Sequence, residues 1–219
     1  MDNSNNKNKN KKPLISIVAA ISDNYIIAIN GKIPWYLPED FHHFRELTLY
    51  SPVILGRKTQ ETIEEYLKPA GRKYLDLRKN IILTSNKNNS KEDLGVKKVN
   101  SFDEALKVVS SNDLVWIIGG SSVYEQAIPL ADVLELTFVH KVFTDYRQDK
   151  KVFPKINYSE WELVKSIPKE NYSFKTFIRK DNKEGLFKER KKNYFSYLKT
   201  KNKNINEYLP SEKRMNLNK

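Results

Sequence analysis

The sequence predicts an α/β fold, a doubly wound, mostly parallel central sheet with an antiparallel C-terminal edge hairpin. Three observations point there. Short runs that are apolar on both faces recur along the chain, which suits central strands covered by helices. Segments of helical spacing and length separate them. Near the end, two strand-like stretches, Trp161–Ser166 and Tyr172–Lys180, follow each other with no helix between.

The first run, Leu14 to Ile21, is interrupted only by Ser16, and a helix is expected from Glu39 towards Tyr50, with Pro38 suited to its first turn. The run Pro52–Leu55 leads into a helix starting near Thr59 and reaching Leu67. Asn80–Leu83 is the next strand, followed by a polar loop at Asn86–Glu92 and a helix over Phe102–Ser110. Leu114–Ile118 and Ser121–Ile128 form another strand and helix, and Val133–His140 is the last long apolar run before the hairpin.

The length of 219 residues suits one domain with flanking segments. The absence of Cys excludes disulfides, thiol nucleophiles and Cys-based metal sites. No run approaches the ~20 apolar residues of a membrane span, and Met1–Lys12 has no apolar signal core, so a cytoplasmic protein is expected. The net charge of +12 is uneven: +3 lies in residues 1–12, +6 in 181–219 and +3 in the whole of 13–180. The expected organisation is therefore a disordered basic N-terminal tail (1–12), one α/β domain (13–180) and a basic C-terminal extension (181–219). The extension has helical spacing from Glu184 to Leu198. Such tails usually stay solvated; nonspecific attraction to nucleic acid is the alternative.

Three segments carry chemistry. In Pro34-Trp35-Tyr36-Leu37-Pro38-Glu39-Asp40-Phe41, the residues Leu37, Phe41, Phe44 and Leu47 share one helix face. Asp40, four before Phe44 and seven before Leu47, points along it, whereas Glu39 points elsewhere with His43 and Glu46. A carboxylate on an inward face is costly unless a cation or hydrogen-bond donor meets it. Helix-terminus stabilisation is the plainer role, but Glu39 alone can fill it. Second, Gly56-Arg57-Lys58-Thr59 combines a strand end, a glycine, two cations and a helix cap, the makings of an anion site. Third, Gly119-Gly120-Ser121-Ser122-Val123-Tyr124 puts paired glycines between a strand and a helix, where a ligand approaches the backbone closely. A tight turn is the alternative reading of the glycines. Two anion-ready helix starts on one sheet suit an extended dinucleotide phosphorylated on its ribose. His42 and His43 diverge by ~100° on a helix, and no metal is expected.

In this order, these segments closely resemble the dihydrofolate reductase family. The resemblance runs from about Leu14 to Lys180. It also includes Ile15–Ala20, Arg78–Ser85, Leu136-Thr137 and Phe153-Pro154. It implies NADPH-dependent reduction of 7,8-dihydrofolate to 5,6,7,8-tetrahydrofolate, a step of one-carbon metabolism that supports thymidylate and purine synthesis. By the resemblance, Asp40 binds the pterin, Trp35 orders a water near the ring and Thr137 supports Asp40. Val18, Ala20, Phe41, Phe44, Ile63, Ile118 and Tyr124 line the substrate pocket. Arg57, Lys58, Ser85 and Asn86 surround the adenosine end of NADPH, with Gly56, Thr59, Leu83, Thr84, Ala20 and Ile27 also beside the cofactor. Gly119, Gly120, Ser121, Ser122 and Val123 cover the diphosphate, the peptide between the glycines being cis. A monomer is implied, with a partner subunit at the C-terminal extension as the alternative.

Three departures from the family pattern stand out. Ala28 replaces a glycine of an early mobile loop, although Gly31 is kept. The arginine for the glutamate carboxylate is Arg78 by its spacing to Ile81-Ile82-Leu83, with Arg72 the alternative by its preceding glycine. The extension has no counterpart in the minimal enzyme; a junction with thymidylate synthase is one explanation, but it is far too short for a synthase domain. The related pyrimidinone reductase of riboflavin synthesis lacks the Trp-x-Leu-Pro-x-Asp block. A nucleic-acid-binding protein would leave the paired glycines without a role.

Overall fold

Nine residues, Leu14–Ser22, form strand β1 at the centre of the molecule, buried along nearly its whole length on both faces. The computed structural model describes residues 12–67, 75–85, 95–145, 147–180 and 184–208. After β1 come β2 (Ile26–Ile29), α1 (Pro38–Thr48), β3 (Pro52–Gly56), α2 (Arg57–Leu67), β4 (Lys79–Leu83), β5 (Val96–Val99) and α3 (Phe102–Val108). They are followed by β6 (Leu114–Ile117), α4 (Ser121–Ala127), β7 (Val133–Val139), β8 (Lys150–Val152), β9 (Trp161–Pro168), β10 (Tyr172–Arg179) and α5 (Glu184–Tyr208). The described chain divides after Lys180 into two compact units, the second containing α5.

Eight strands form one sheet in the order β5-β4-β3-β6-β1-β7-β10-β9. Every pair from β5 to β7 is parallel, and β10 runs antiparallel to both β7 and β9. The expected parallel sheet with an antiparallel edge is therefore present. Its central strands are apolar on both sides because helices cover both sides: Ile17, Ile54, Ile81, Ile117 and Leu134 are fully buried. Burial of this apolar surface is the main stabilising contribution to the domain.

The differences from the sequence reading lie in short or polar elements. β2 and β8 pair as a separate two-stranded ribbon, and β5 pairs with β4 at the sheet edge; none was expected. The helix expected to begin near Thr59 begins at Arg57. Gly56 still pairs with Leu83 of β4, so the strand passes directly into α2 and leaves no separate turn. α1 ends at Thr48 rather than Tyr50, and α5 continues beyond Leu198. The expected loop at Asn86–Glu92 lies outside the described residues. Among the described residues, no helix is long and apolar enough to cross a membrane.

Candidate active site

Ligands of open α/β sheets bind beyond the carboxyl ends of the strands, and there β1, β3, β6 and β7 bring the candidate residues together. Asp40 stands in the first turn of α1, which begins at Pro38 without a side-chain cap at Leu37. It is partly buried, and its Oδ1 accepts a hydrogen bond from Thr137 Oγ at 2.5 Å. Thr137 is itself buried in β7, paired with Ala20 of β1 and Phe174 of β10. Burial raises the Asp40 carboxyl above the ordinary carboxylate range, and the Thr137 hydrogen bond draws it partly back down. A carboxyl group with raised proton affinity, held by a strand and aimed from a helix, suits polarisation of a nitrogen heterocycle.

Around it, Tyr124 is buried, and its hydroxyl donates to the Val18 carbonyl oxygen at 2.9 Å. Burial, reinforced by the nearby Asp40 charge, pushes the Tyr124 hydroxyl up, so it stays a neutral donor. Val18 and Ile118 are buried beside it, and Ala20, Phe41, Phe44 and Ile63 are partly buried. The Trp35 indole Nε1 is buried with no hydrogen-bond partner among the described residues. At the other end of α1, the Arg78 Nε donates to Thr48 Oγ1 at 2.9 Å, and its guanidinium lies 5.8 Å from the centre of the Phe44 ring. Arg72 lies outside the described residues.

The two glycine segments meet because β3 and β6 are neighbours. The Gly56 N–H donates to the Gly119 carbonyl at 2.8 Å. A Cβ on Gly119 would lie 3.1 Å from the Tyr124 ring, and one on Gly120 would lie 3.1 Å from Thr59 Oγ1. Gly119 has φ +109°, a conformation open mainly to glycine, and the Gly119–Gly120 peptide is cis. α4 starts immediately after, and Ser121 Oγ is buried there without a protein partner among the described residues. Backbone kept bare by glycine, a helix start and an orphaned hydroxyl together suit a diphosphate, and they pass the test of fit for a dinucleotide. Val123 packs behind, its Cγ2 3.3 Å from where a Gly56 Cβ would stand.

Further along, Arg57 and Lys58 are exposed in the first turn of α2, and Arg57 Nη1 pairs with Glu61 of the same helix. Thr59 is thus an interior residue of that turn, which corrects its expected role as the cap. Thr84 is buried, Leu83 and Ile27 are partly buried, Ser85 and Ser122 are exposed, and Asn86 lies outside the described residues. Ala28, where glycine was expected, lies in β2 opposite Lys151 of β8, so the segment is a strand at that position.

With this geometry in view, comparison with known proteins is decisive. The sequence model of the family described as dihydrofolate reductase matches residues 14–179. The chain belongs to the dihydrofolate reductase family. It is 34% identical over 169 residues to dihydrofolate reductase of Buchnera aphidicola from Acyrthosiphon pisum, covering 75% of this chain and 99% of that one. It is 35% identical over 153 residues to the Bacillus subtilis enzyme, covering 70% and 83% of the two chains. Among solved structures, the Enterococcus faecalis dihydrofolate reductase complexed with NADP(H) and RAB-propyl matches with TM-score 0.64 and 32% identity, covering 77% of this chain and 97% of that chain. The chain is accordingly an NADPH-dependent oxidoreductase that converts 7,8-dihydrofolate to 5,6,7,8-tetrahydrofolate in one-carbon metabolism.

The sequence reading of the reductase missed a second buried acid. Glu135, two residues before Thr137 and on the same face of β7, has Thr176 Oγ1 3.0 Å from both carboxylate oxygens. His43, expected to point away with Glu39 and Glu46, instead turns inward. Its Nε2 lies 4.0 Å from Glu135, and its ring lies 4.5 Å from that of Phe174. Burial, with the charges of Lys165 and His42, pushes the His43 imidazole down to about 4. Glu39 reaches the edge hairpin, accepting from Tyr172 Oη at 2.7 Å and pairing with Lys169 Nζ at 2.8 Å. The signal for Glu135 was a lone acid in an otherwise apolar run. Nothing local marked the Glu39 contacts, which join residues more than 120 positions apart.

Proposed function

We propose that Asp40 is the catalytic carboxylate of this reductase, hydrogen-bonding the exocyclic amino group and adjacent ring nitrogen of the pterin. The observation that carries this reading is its position, partly buried and anchored to Thr137 at the mouth of the sheet. In a site of low polarity, that contact shifts electron density towards the reducible bond and makes its ring nitrogen more basic. Thr137 fixes the rotamer of Asp40. Trp35 Nε1 offers a donor to a water near the ring, and water delivers the proton. Val18, Ala20, Ile118 and Tyr124 flank the pterin; Phe41, Phe44 and Ile63 flank the substrate beyond it. Arg78 binds the glutamate carboxylate at the far end of α1, where its planar donors suit a carboxylate.

NADPH, when bound, supplies the hydride. Gly119, Gly120, Ser121, Ser122 and Val123 hold its diphosphate, with Ser121 Oγ as a donor. Gly56, Thr59, Leu83, Thr84, Ser85, Ala20 and Ile27 border it; Asn86, outside the described residues, is assigned to the cofactor on the family resemblance alone. Arg57 and Lys58 meet the ribose phosphate and favour NADPH over NADH. Every residue assigned here comes from the segment 14–180 of one chain, which supports a monomeric enzyme; we place it in the cytoplasm, where its cofactor is kept reduced. The organisation into a basic N-terminal tail, a catalytic domain over 13–180 and a C-terminal extension belongs to the same proposal.

The test is loss of NADPH absorbance that depends on dihydrofolate, using the purified full chain, repeated with NADH. Rapid oxidation of NADPH and at least tenfold slower oxidation of NADH at equal concentration are expected. Equal rates would remove the role given to Arg57 and Lys58.

A further inference from the structure

The proposed ends of the substrate site define a line. Asp40, Phe44 and Thr48 stand four and eight residues apart on α1, a straight row about 12 Å long. Arg78 is bonded to Thr48 at the far end. A folate has its pterin at one end, its glutamate at the other and a benzoyl ring between. That ring must therefore lie along the middle of α1, opposite α2.

Tyr66, in the last turn of α2 and three residues after Ile63, hence on nearly the same face, reaches α1 at Phe41, which lies between Asp40 and Phe44 in the chain. Its ring is stacked on Phe41 of α1, with centroids 5.5 Å apart and planes 18° apart, and Phe41 in turn lies 6.1 Å from Tyr36. Tyr66 is nevertheless 57% exposed and Tyr36 71% exposed. Large aromatic rings that bridge two helices yet keep so much surface in water contribute little to the core. A third ring between Phe41 and Tyr66 would need about 7 Å between their centroids, twice the ~3.5 Å van der Waals separation. Admission of a benzoyl ring on this path therefore requires Tyr66 to rotate outward. Once outward, its face is free to pack on the ring that has entered.

We propose that Tyr66 is a specificity-determining residue, an aromatic flap at the end of α2 that opens to admit the benzoyl ring of the substrate and then packs on it. This rests on the substrate orientation proposed above. It predicts discrimination between a folate and a pterin that lacks the benzoyl group. The interaction of a paired aromatic ring amounts to a factor of about 3–10 in affinity.

The test compares dihydrofolate with a dihydropterin bearing only a methyl group in place of the benzoylglutamate arm, using the full-length enzyme and NADPH. For Tyr66→Ala, KM for dihydrofolate should rise about 3- to 10-fold with little change in kcat, while KM for the methyl dihydropterin should not follow it. The ratio of the two kcat/KM values should therefore fall by the same factor, and Tyr66→Phe, which keeps the ring, should restore it. An unchanged ratio in Tyr66→Ala overturns the proposal, whether both KM values rise together or neither moves. The reading beneath it fails differently. If Asp40→Asn reduces both substrates at the wild-type rate, the pterin is not held at Asp40, and the line from which the flap was inferred is lost as well.

Discussion

At the proposed pterin end, Asp40 is partly buried and fastened to Thr137, which is buried between two neighbouring strands. At the proposed ribose-phosphate end, Arg57 and Lys58 lie on an exposed helix turn, and Arg57 is paired with Glu61 from its own helix. The contrast shows what each end must do. Chemistry at the pterin requires a group whose position and proton affinity are set before the substrate arrives, which only a packed strand and a low-polarity wall provide. Attraction of a phosphate needs net positive charge within reach, and exposed cations supply it with little structural cost, at the expense of screening by salt.

The largest effect should come from the buried end. Asp40→Asn should lower turnover at neutral pH by roughly 10²–10⁴-fold, the usual contribution of acid–base assistance. It should also stabilise the fold. Because burial raises the Asp40 carboxyl in the native state above its ordinary value of 3.8, the native protein binds that proton more tightly than the unfolded chain. The favourable contribution is complete below the ordinary value and is lost as pH rises through the raised one. Asparagine carries no such loss, so thermal unfolding should show the variant more stable than wild type at neutral pH and without that advantage near pH 3. A less stable variant at neutral pH would mean that the carboxylate is satisfied rather than poised.

Between the ends lies the glycine pair. Gly119→Ala places a Cβ at φ +109° and 3.1 Å from the buried Tyr124 ring. Such a backbone costs about 1–3 kcal/mol, so melting should fall by several degrees, and NADPH affinity, measured by fluorescence quenching, should fall about tenfold or more. Thr137→Val keeps the shape but removes the one side-chain donor to the Asp40 carboxylate among the described residues. Turnover should drop about tenfold, in line with a hydrogen bond to a charged group, and the carboxyl titration in the pH–rate profile should move to higher pH, since the lost bond was the influence lowering it.

The smallest effect belongs to the exposed end. Glu61→Gln releases Arg57 from its ion pair, and exposed pairs are weak. NADPH affinity should improve about two- to threefold, with NADH unchanged and the gain erased by high salt. A tenfold gain would show that this end is as firmly organised as the other, and the contrast would disappear.

What could be read from the sequence follows the same division. β1, β3, β4, β6 and β7 were legible because burial on both faces makes most of their residues apolar. Asp40 was legible because a carboxylate on an apolar helix face violates the local pattern. β5, with two lysines among its four residues, and β8, with two among three, were not. Their strand state comes from pairing with a neighbour rather than from their own composition. Long-range partners such as Glu39 with Tyr172, and His43 with Glu135, were invisible for the same reason. They depend on α1 meeting the antiparallel edge, which only the assembled sheet dictates.

Reduction of dihydrofolate by NADPH, followed across pH in wild-type enzyme and Asp40→Asn, examines the role of the carboxylate most directly. The deficit of the variant should be greatest at neutral and alkaline pH and should narrow as acid protonates the substrate in solution, doing without help what Asp40 otherwise promotes. A variant with near-wild-type rates at neutral pH, or one whose deficit is the same at every pH, would contradict that role.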